Sequence, residues 1–493
     1  MASLIYIFDE SAGQTQLTLK GELHKYLIKV RRHSLSDELA FRNRDDTKRL
    51  HKYKIVELDP RSVTLELLDS TVVEVNATKE LHIAWCVIDA KSVEKALELI
   101  YTNIKKTSLK ILPIEEALGY VLAQDIVATH NLPPFDNSAM DGYAVKVEDS
   151  GKCVKVEHTI FAGDDFKGEL CSGFAIKIMT GARIPLGTQC IVPIEDTQEC
   201  QSGVKLPENL TISKHIRLAG EDIKKETSLL THGDILNAHQ ITLLASQGIS
   251  HIKVHKRPRV ALFASGNELK MHFEQVEEYQ LYNTNTPTLL ARAQELGCEV
   301  EFIGTARDTM GDIKEHIKSA LECDLVITSG GVSVGDADFT KEAFGEFGYN
   351  IFFDKIEIKP GKPTTFGKIG DTLILNLPGN PLAAALNFEL FGQSIIFALS
   401  GAKKKFISSI NAKLKSDFKL RAGRRTLVPG YFDGEYFSVC EHFAPGMVSP
   451  LALANGFIMI DEECAFLKEN STVKVITTQF SFTSSEFKSL TTT

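Results

Sequence analysis

Between Arg257 and about Ala402 the chain alternates strand and helix in a rhythm that few folds accommodate. RVALFAS is an apolar run ending in a Gly-containing loop, TPTLLARAQELG has helical spacing, CEVEFIGTA reads as a strand and GDIKEHIKSAL as a helix. DLVITSGGVSVG then carries a strand into a Gly-rich loop, and the strand TLILNLPGNP leads into the helix PLAAALNFELF. This pattern predicts an α/β unit with a mainly parallel, helix-covered sheet. Ligands of such sheets bind beyond the carboxyl ends of the strands. Those ends are SGNEL (265–269), RDT (307–309), TSGGVSVGDAD (328–338) and LPGNP (377–381), which gather the acids Glu268, Asp308, Asp336 and Asp338 at one edge.

The remaining residues exceed what that one core can hold, and 493 residues favour three or four domains. Residues 1–88 read as short alternating strands (LIYIF, QLTLKG, ELAFRN, YKIVELD, SVTLELL, LHIAWCVID) with one helix near ELHKYLIKVRR, a small barrel-like β domain. From Ser92, SVEKALELIYTNIKK and IEEALGYVLAQDI have helical spacing. A β-rich section with FAIKIM and CIVPIED follows, and HGDILNAHQITLLASQGI supplies another helix with Gly248 as its stop. The last 90 or so residues return to short strands.

Composition narrows the function classes. No run of about 18 apolar residues occurs, and MASLIYIFDESAGQ lacks the basic start and cleavage site of a secretory leader, so a cytoplasmic protein without a membrane segment is expected. Nine cysteines without a CxxC pair argue against a disulfide framework or a zinc ribbon, and most read as buried thiols. A net charge of −9 argues against a general nucleic-acid binder, although Lys20 to Lys54 holds eleven Lys/Arg against five Asp/Glu.

Three segments offer chemistry. In SGGVSVG, Gly330, Gly331 and Gly335 let backbone N–H groups approach an anion, with Ser329 and Ser333 beside them; no GK[ST] follows, so this is no Walker A loop. The alternation in KIEIKPGKP predicts a strand with Lys355 and Lys359 on one side, which suits either a bound anion or a solvated edge. LPPFDNSAMDGYAV is a rigid Pro- and Gly-shaped loop carrying Asp136 and Asp141, either a surface turn or part of a site. Acids and lysines around a Gly-rich loop point to a phosphate or oxyanion substrate with a divalent metal. No His/Cys spacing suits a metal, and His316 reads as a surface residue.

From about Ser92 to Ile476 the chain resembles the molybdopterin molybdenumtransferases, the MoeA proteins and the E domain of gephyrin. The resemblance is carried by PPFDNSAMDGYAV, IMTGARIPLG, RLAGEDI, RVALFASGNEL, YNTNTPTL, TSGGVSVGDADF, IEIKPGKPTTFG and LPGNPLAAALNF, in family order. It implies an elongated MoeA-like architecture: a discontinuous linker domain (89–130 and 226–256), a β-rich domain (131–225), a MogA-like three-layer α/β domain (257–405), a C-terminal β domain (406–484) and a tail (485–493). It also implies insertion of molybdate into adenylylated molybdopterin with release of AMP, Mg²⁺ as cofactor, and a homodimer whose site borrows from the second subunit. The implied catalytic residues are Asp141, Glu268, Asp308, Asp338, Lys355 and Lys359, with Glu268, Asp308 and Asp338 on the metal. Thr180, Asp222, Ser329, Gly330, Gly331, Ser333, Pro378 and Pro381 would bind the pterin substrate, joined by Arg424 and Ser449 from the looser C-terminal matches AGRRTLVPG and VSPLALANGFIMI. Where the family has TGDEL this chain has SGNEL, so Ser265 and Asn267 replace Thr and Asp, which bears on metal affinity.

Residues 1 to about 90 resemble instead the PUA-like N-terminal domain of RsmE-type ribosomal-RNA uridine methyltransferases, through GELHKYLIKVRRHSLSDELAFRN, YKIVELDPRSVTLELL and LHIAWCVIDAKS. That likeness implies an RNA contact, and no counterpart of the methyltransferase domain is present. Two other readings stand beside the insertase. One is a gephyrin-like scaffold, which has no need of these acids and lysines. The other is a molybdopterin adenylyltransferase, whose loop is of the SGGTG type; such an enzyme would equally serve as a partner.

Overall fold

The computed structural model describes residues 6–8, 12–20, 27, 34–42, 49–59, 62–72, 92–330 and 339–479. The expected helix at 22–32 (Leu27 apart), the strand LHIAWCVID and the tail 485–493 lie outside these residues. The chain forms two compact units, Met1–Cys86 and Val87–Thr493.

The first unit is a five-stranded sheet in the order Tyr6–Phe8, Glu38–Arg42, Arg49–Leu58, Ser62–Val72, Gln16–Lys20, antiparallel except for the first pair. Period-two sequence produces it: Leu17, Leu19, Tyr53, Ile55, Val63 and Leu65 all point into one core. Tyr53 is completely buried, and its hydroxyl donates to Gln14 O (2.7 Å) and accepts from Gly13 N (2.8 Å). The basic run is partly balanced in register, since Lys52 stands opposite Asp69 and Lys54 opposite Glu38 and Glu66.

The second unit begins with the helix Val93–Asn103, capped by Ser92 Oγ, which accepts from Lys95 N. IEEALGYVLAQDI does not become a helix. Only Ile114–Glu116 makes a 3₁₀ turn; Gly119 then takes φ +78°, and Val121 and Leu122 bridge to Ile235 and Val254. Sheet pairing satisfies the same apolar residues, and Leu112, Ile114, Ala117 and Leu122 still meet one core. The helix Ala238–Ser246 forms as expected, with a capping box between Asn237 and Gln240 and Gly248 at φ +65° beyond its end.

The β-rich section holds a six-stranded sheet in the order Cys190–Pro193, Gly142–Val145, Phe174–Ile178, Cys153–Ile160, Gly203–Lys205, Gln198–Cys200. Cys153 and Cys200 are joined as a disulfide across its edge, a pairing that sequence spacing did not suggest. Of the free cysteines, Cys190, Cys298 and Cys323 are buried, and Cys171 is exposed.

The α/β section has the order Glu299–Ala306, Arg259–Ser265, Leu325–Ser329, Thr372–Leu377, Thr365–Ile369, Asn350–Asp354; the first four strands are parallel, and the last two pairings are antiparallel because Thr365–Ile369 alone is reversed. Helices Asn285–Glu295 and Pro381–Leu399 cover one face, and Met310–Ala320 and Phe339–Glu346 cover the other, each over its own core. Pro381–Leu399 is long and apolar enough to cross a bilayer, but 83% of it is buried inside the protein. A closed ring of five strands follows: Arg425–Phe432, Tyr436–Val439, Ile410–Leu414, Thr472–Thr477 and Gly456–Ile460, the last pairing back to the first.

Candidate functional site

Two carboxylates are built into corners. At the carboxyl edge of the parallel sheet, Ser265 Oγ donates to Asp308 Oδ1 (2.7 Å) and Asn267 N to Asp308 Oδ2 (3.3 Å), while Asn267 Oδ1 accepts from Asp308 N (3.2 Å). Ser265 and Asn267 therefore brace Asp308 directly. Glu268 is exposed in the same turn, folded back over Gly266, which has φ +155°. Next to it Gly330 packs so tightly on Ser265 that a Cβ would come within 2.5 Å of Ser265 O. Ser329 is buried, and its Oγ accepts from Asn285 Nδ2 (2.7 Å) and donates to Pro378 O (3.3 Å). Asn285 also donates to Gly379 O (2.7 Å), so one side chain ties two of the four loops together. Gly331, Ser333, Asp336 and Asp338 lie outside the described residues.

The second corner lies in the β-rich section. Asp141 Oδ1 accepts from both Thr180 N and Thr180 Oγ1, each at 2.7 Å. These two bonds, the backbone one foremost, hold the Asp141 carboxyl below the usual carboxylate range. Gly142 is required by close approach, because a Cβ there would meet Val192 O at 2.2 Å. Asp136 Oδ1 accepts from Ala219 N (2.7 Å), which pins the LPPFDNSAMDGYAV loop as a turn residue would. Asp222 joins the same loop through its own N–H, donated to Leu132 O (3.0 Å), and lines a cleft with Leu132, Pro133, Asn137, Arg217 and Glu221.

Lys355 and Lys359 sit on a loop unlike the expected strand. Only Ile358–Lys359 is β, paired in parallel with Arg425 and Thr426 of the C-terminal barrel, and Lys355 takes φ +66°. The burial still alternates: Ile356 and Ile358 are buried, and Lys355, Glu357 and Lys359 are exposed. This pairing brings Lys359 beside the segment that carries Arg424, which is exposed. Leu382 N donates to Pro445 O, so the loop leading to Ser449 abuts LPGNP, where Pro381 opens its helix at the first turn.

Sequence inspection missed the asparagines that hold these loops: half-buried Asn285, and the buried Asn376, which accepts from Thr328 Oγ1 (2.7 Å) and donates to Thr365 Oγ1 (2.8 Å), and Asn387. The only signal was a polar residue inside an apolar strand or helix. Among the described residues, no group of three His, Cys, Asp or Glu side chains forms a metal cage. Of the carboxylates expected on the metal, Glu268 and Asp308 lie within the described residues, and a magnesium ion commonly takes one or two carboxylates and completes its shell with water and substrate phosphate.

These layers define a multidomain protein in which a three-layer α/β domain is flanked by β-rich domains. Family models match residues 91–248 (MoeA N-terminal region, domains I and II), 261–398 (probable molybdopterin binding domain) and 411–478 (MoeA C-terminal region, domain IV). The molybdopterin molybdenumtransferase of Haemophilus influenzae is 35% identical over 379 residues, covering 75% of this chain and 94% of its own length. Its namesake from Staphylococcus aureus is 31% identical over 409 residues, covering 78% and 95%. The crystal structure of the molybdopterin biosynthesis MoeA protein from Pyrococcus horikosii superposes with a TM-score of 0.68 at 31% identity, over 79% of this chain and 99% of that one. The chain belongs to the molybdopterin molybdenumtransferase family, transferases of molybdenum cofactor biosynthesis.

Proposed function

We propose that this protein inserts molybdate into adenylylated molybdopterin and releases AMP, with the residues of the two carboxylate corners and the lysine loop as its working parts. The observation that supports this most is that Glu268, Asp308, Ser329, Gly330 and Pro378 meet at one sheet edge with a lysine loop anchored nearby. Lys355, Lys359 and Arg424 would neutralise molybdate and the phosphoanhydride, and backbone N–H groups of the Gly330 loop would hold phosphate oxygens. Asp141, whose charged form the Thr180 bonds favour, would orient the attacking oxygen. Magnesium, held by Glu268, Asp308 and Asp338, would supply charge neutralisation at the phosphates.

A homodimer is part of this proposal: Asp141, Thr180 and Asp222, which lie in the β-rich section and not in the α/β sheet, are read as completing the sheet-edge site of a second copy. The setting is taken to be the cytoplasm, with a molybdopterin adenylyltransferase as the supplier of substrate. Residues 1–88 are assigned a PUA-like fold and an RNA contact; unchanged ribosomal-RNA binding after their deletion would discard that contact.

The decisive measurement is molybdate insertion by Asp308→Asn. The substitution keeps the shape and loses the charge, and insertion is expected to fall by about 100-fold or more. Full activity would sink the site assignment.

A further inference from the structure

The helix beginning at Pro381 leaves α geometry at Phe388–Gly392, where it makes a π turn. Immediately before that turn sits Asn387, completely buried among Leu382, Leu386, Phe388 and Leu390 of the same core. An amide in such surroundings is costly unless protein groups satisfy it. Here they do. Asn387 Nδ2 donates to Ala383 O (2.7 Å), one turn back, and to Pro360 O (3.1 Å). Asn387 Oδ1 lies 3.2 Å from the Thr364 hydroxyl, which also reaches Gly361 O at 2.8 Å. The amide is pressed flat on the backbone, since a Cβ at Gly361 would fall 1.9 Å from Asn387 Nδ2.

Pro360, Gly361 and Thr364 belong to the loop that carries both lysines. Lys355 N donates to Thr364 O (3.2 Å) and Ile356 N to Lys362 O (2.9 Å), closing the loop on itself. At φ +66°, Lys355 holds a conformation that a residue with a Cβ keeps only where its surroundings fix it. An apolar side chain of similar size would fill the place of Asn387 in the helix; the bonds to 360 and 364 are what the amide alone supplies.

We infer that Asn387 is a positioning residue, which clamps the Lys355–Thr364 loop to the helix leaving LPGNP and so fixes Lys355 and Lys359 relative to the glycine loop and Asp308. The inference rests on the proposed role of those lysines in molybdate insertion. Asn387 acts through the loop and needs no contact with substrate.

The test is a double-mutant cycle on the full-length protein, with Asn387→Leu measured alone and together with Lys359→Gln, reading kcat and KM for molybdate insertion. Asn387→Leu alone is expected to lower kcat/KM about 100-fold, the loss that a misplacement of about 1 Å produces. In the Lys359→Gln protein, the same substitution is expected to add clearly less, about tenfold, because one of the two lysines it positions is gone. Losses that multiply in full would show that Asn387 acts independently of the lysine and would overturn the inference alone. A Lys359→Gln protein with normal insertion would overturn the lysine assignment and the inference with it. If Asn387→Leu does not fold, Thr364→Val, which removes only the hydroxyl contact, is measured in the same two backgrounds and decides by the same criterion.

Discussion

Asp308 and Asp141 are both held by a hydroxyl and a backbone N–H, yet the donors are distributed differently. Asp308 takes one donor on each oxygen, Ser265 on Oδ1 and Asn267 on Oδ2. Asp141 takes both donors on Oδ1, and among the described residues its Oδ2 has no donor. The first carboxylate is therefore as much a brace for its own turn as a group to be presented. The second is presented outright, exposed and ionised, with one oxygen left for a ligand.

Substitutions separate the two roles. Asp308→Ala should do the most damage, because it removes the turn's brace together with the charge: about 2 kcal/mol of stability for two lost hydrogen bonds, measured by denaturant unfolding, along with loss of insertion. Asp141→Asn keeps an Oδ1 that accepts both Thr180 bonds, so the melting temperature should stay in place while insertion falls about 100-fold. A joint fall in stability and activity would erase the distinction. Ser265→Ala leaves Asp308 its Asn267 bond and should cost about 1 kcal/mol, with a smaller loss of activity.

Thr180→Val should have the smallest effect, and it is read by titration. Thr180 lowers the Asp141 pKa, so the stabilisation from that charge is present above the unfolded-state carboxyl pKa and is lost as pH falls through the depressed folded value. Without the hydroxyl the folded value rises toward the ordinary range. Carboxyl NMR should then show Asp141 protonating at a higher pH than in the parent protein.

Much of the fold was legible because burial has a period. The strands Arg259–Ser265, Leu325–Ser329 and Thr372–Leu377 are apolar almost throughout, as strands covered on both faces must be, and their flanking helices carry spacing of three and four. The reading failed where one spacing serves two structures. In IEEALGYVLAQDI, the partners Ile235 and Val254, more than a hundred residues away, decided for bridges over a helix. It failed also where backbone conformation overrode pattern, as at Lys355, and where two distant cysteines met across a sheet edge.

The sequence by itself determined which side chains are available for chemistry and where along the chain they fall: acids and glycines at strand ends, lysines flanking a Pro-Gly turn, an aspartate in a Pro- and Gly-shaped loop. These follow from local periodicity and residue type. Only the tertiary structure decided which oxygen of each aspartate is occupied, that Asn285 ties two loops together, and that Asn387 grips the lysine loop across 27 residues. Hydrogen bonds across such distances depend on orientation to within tenths of an ångström, and no one-dimensional pattern carries that information.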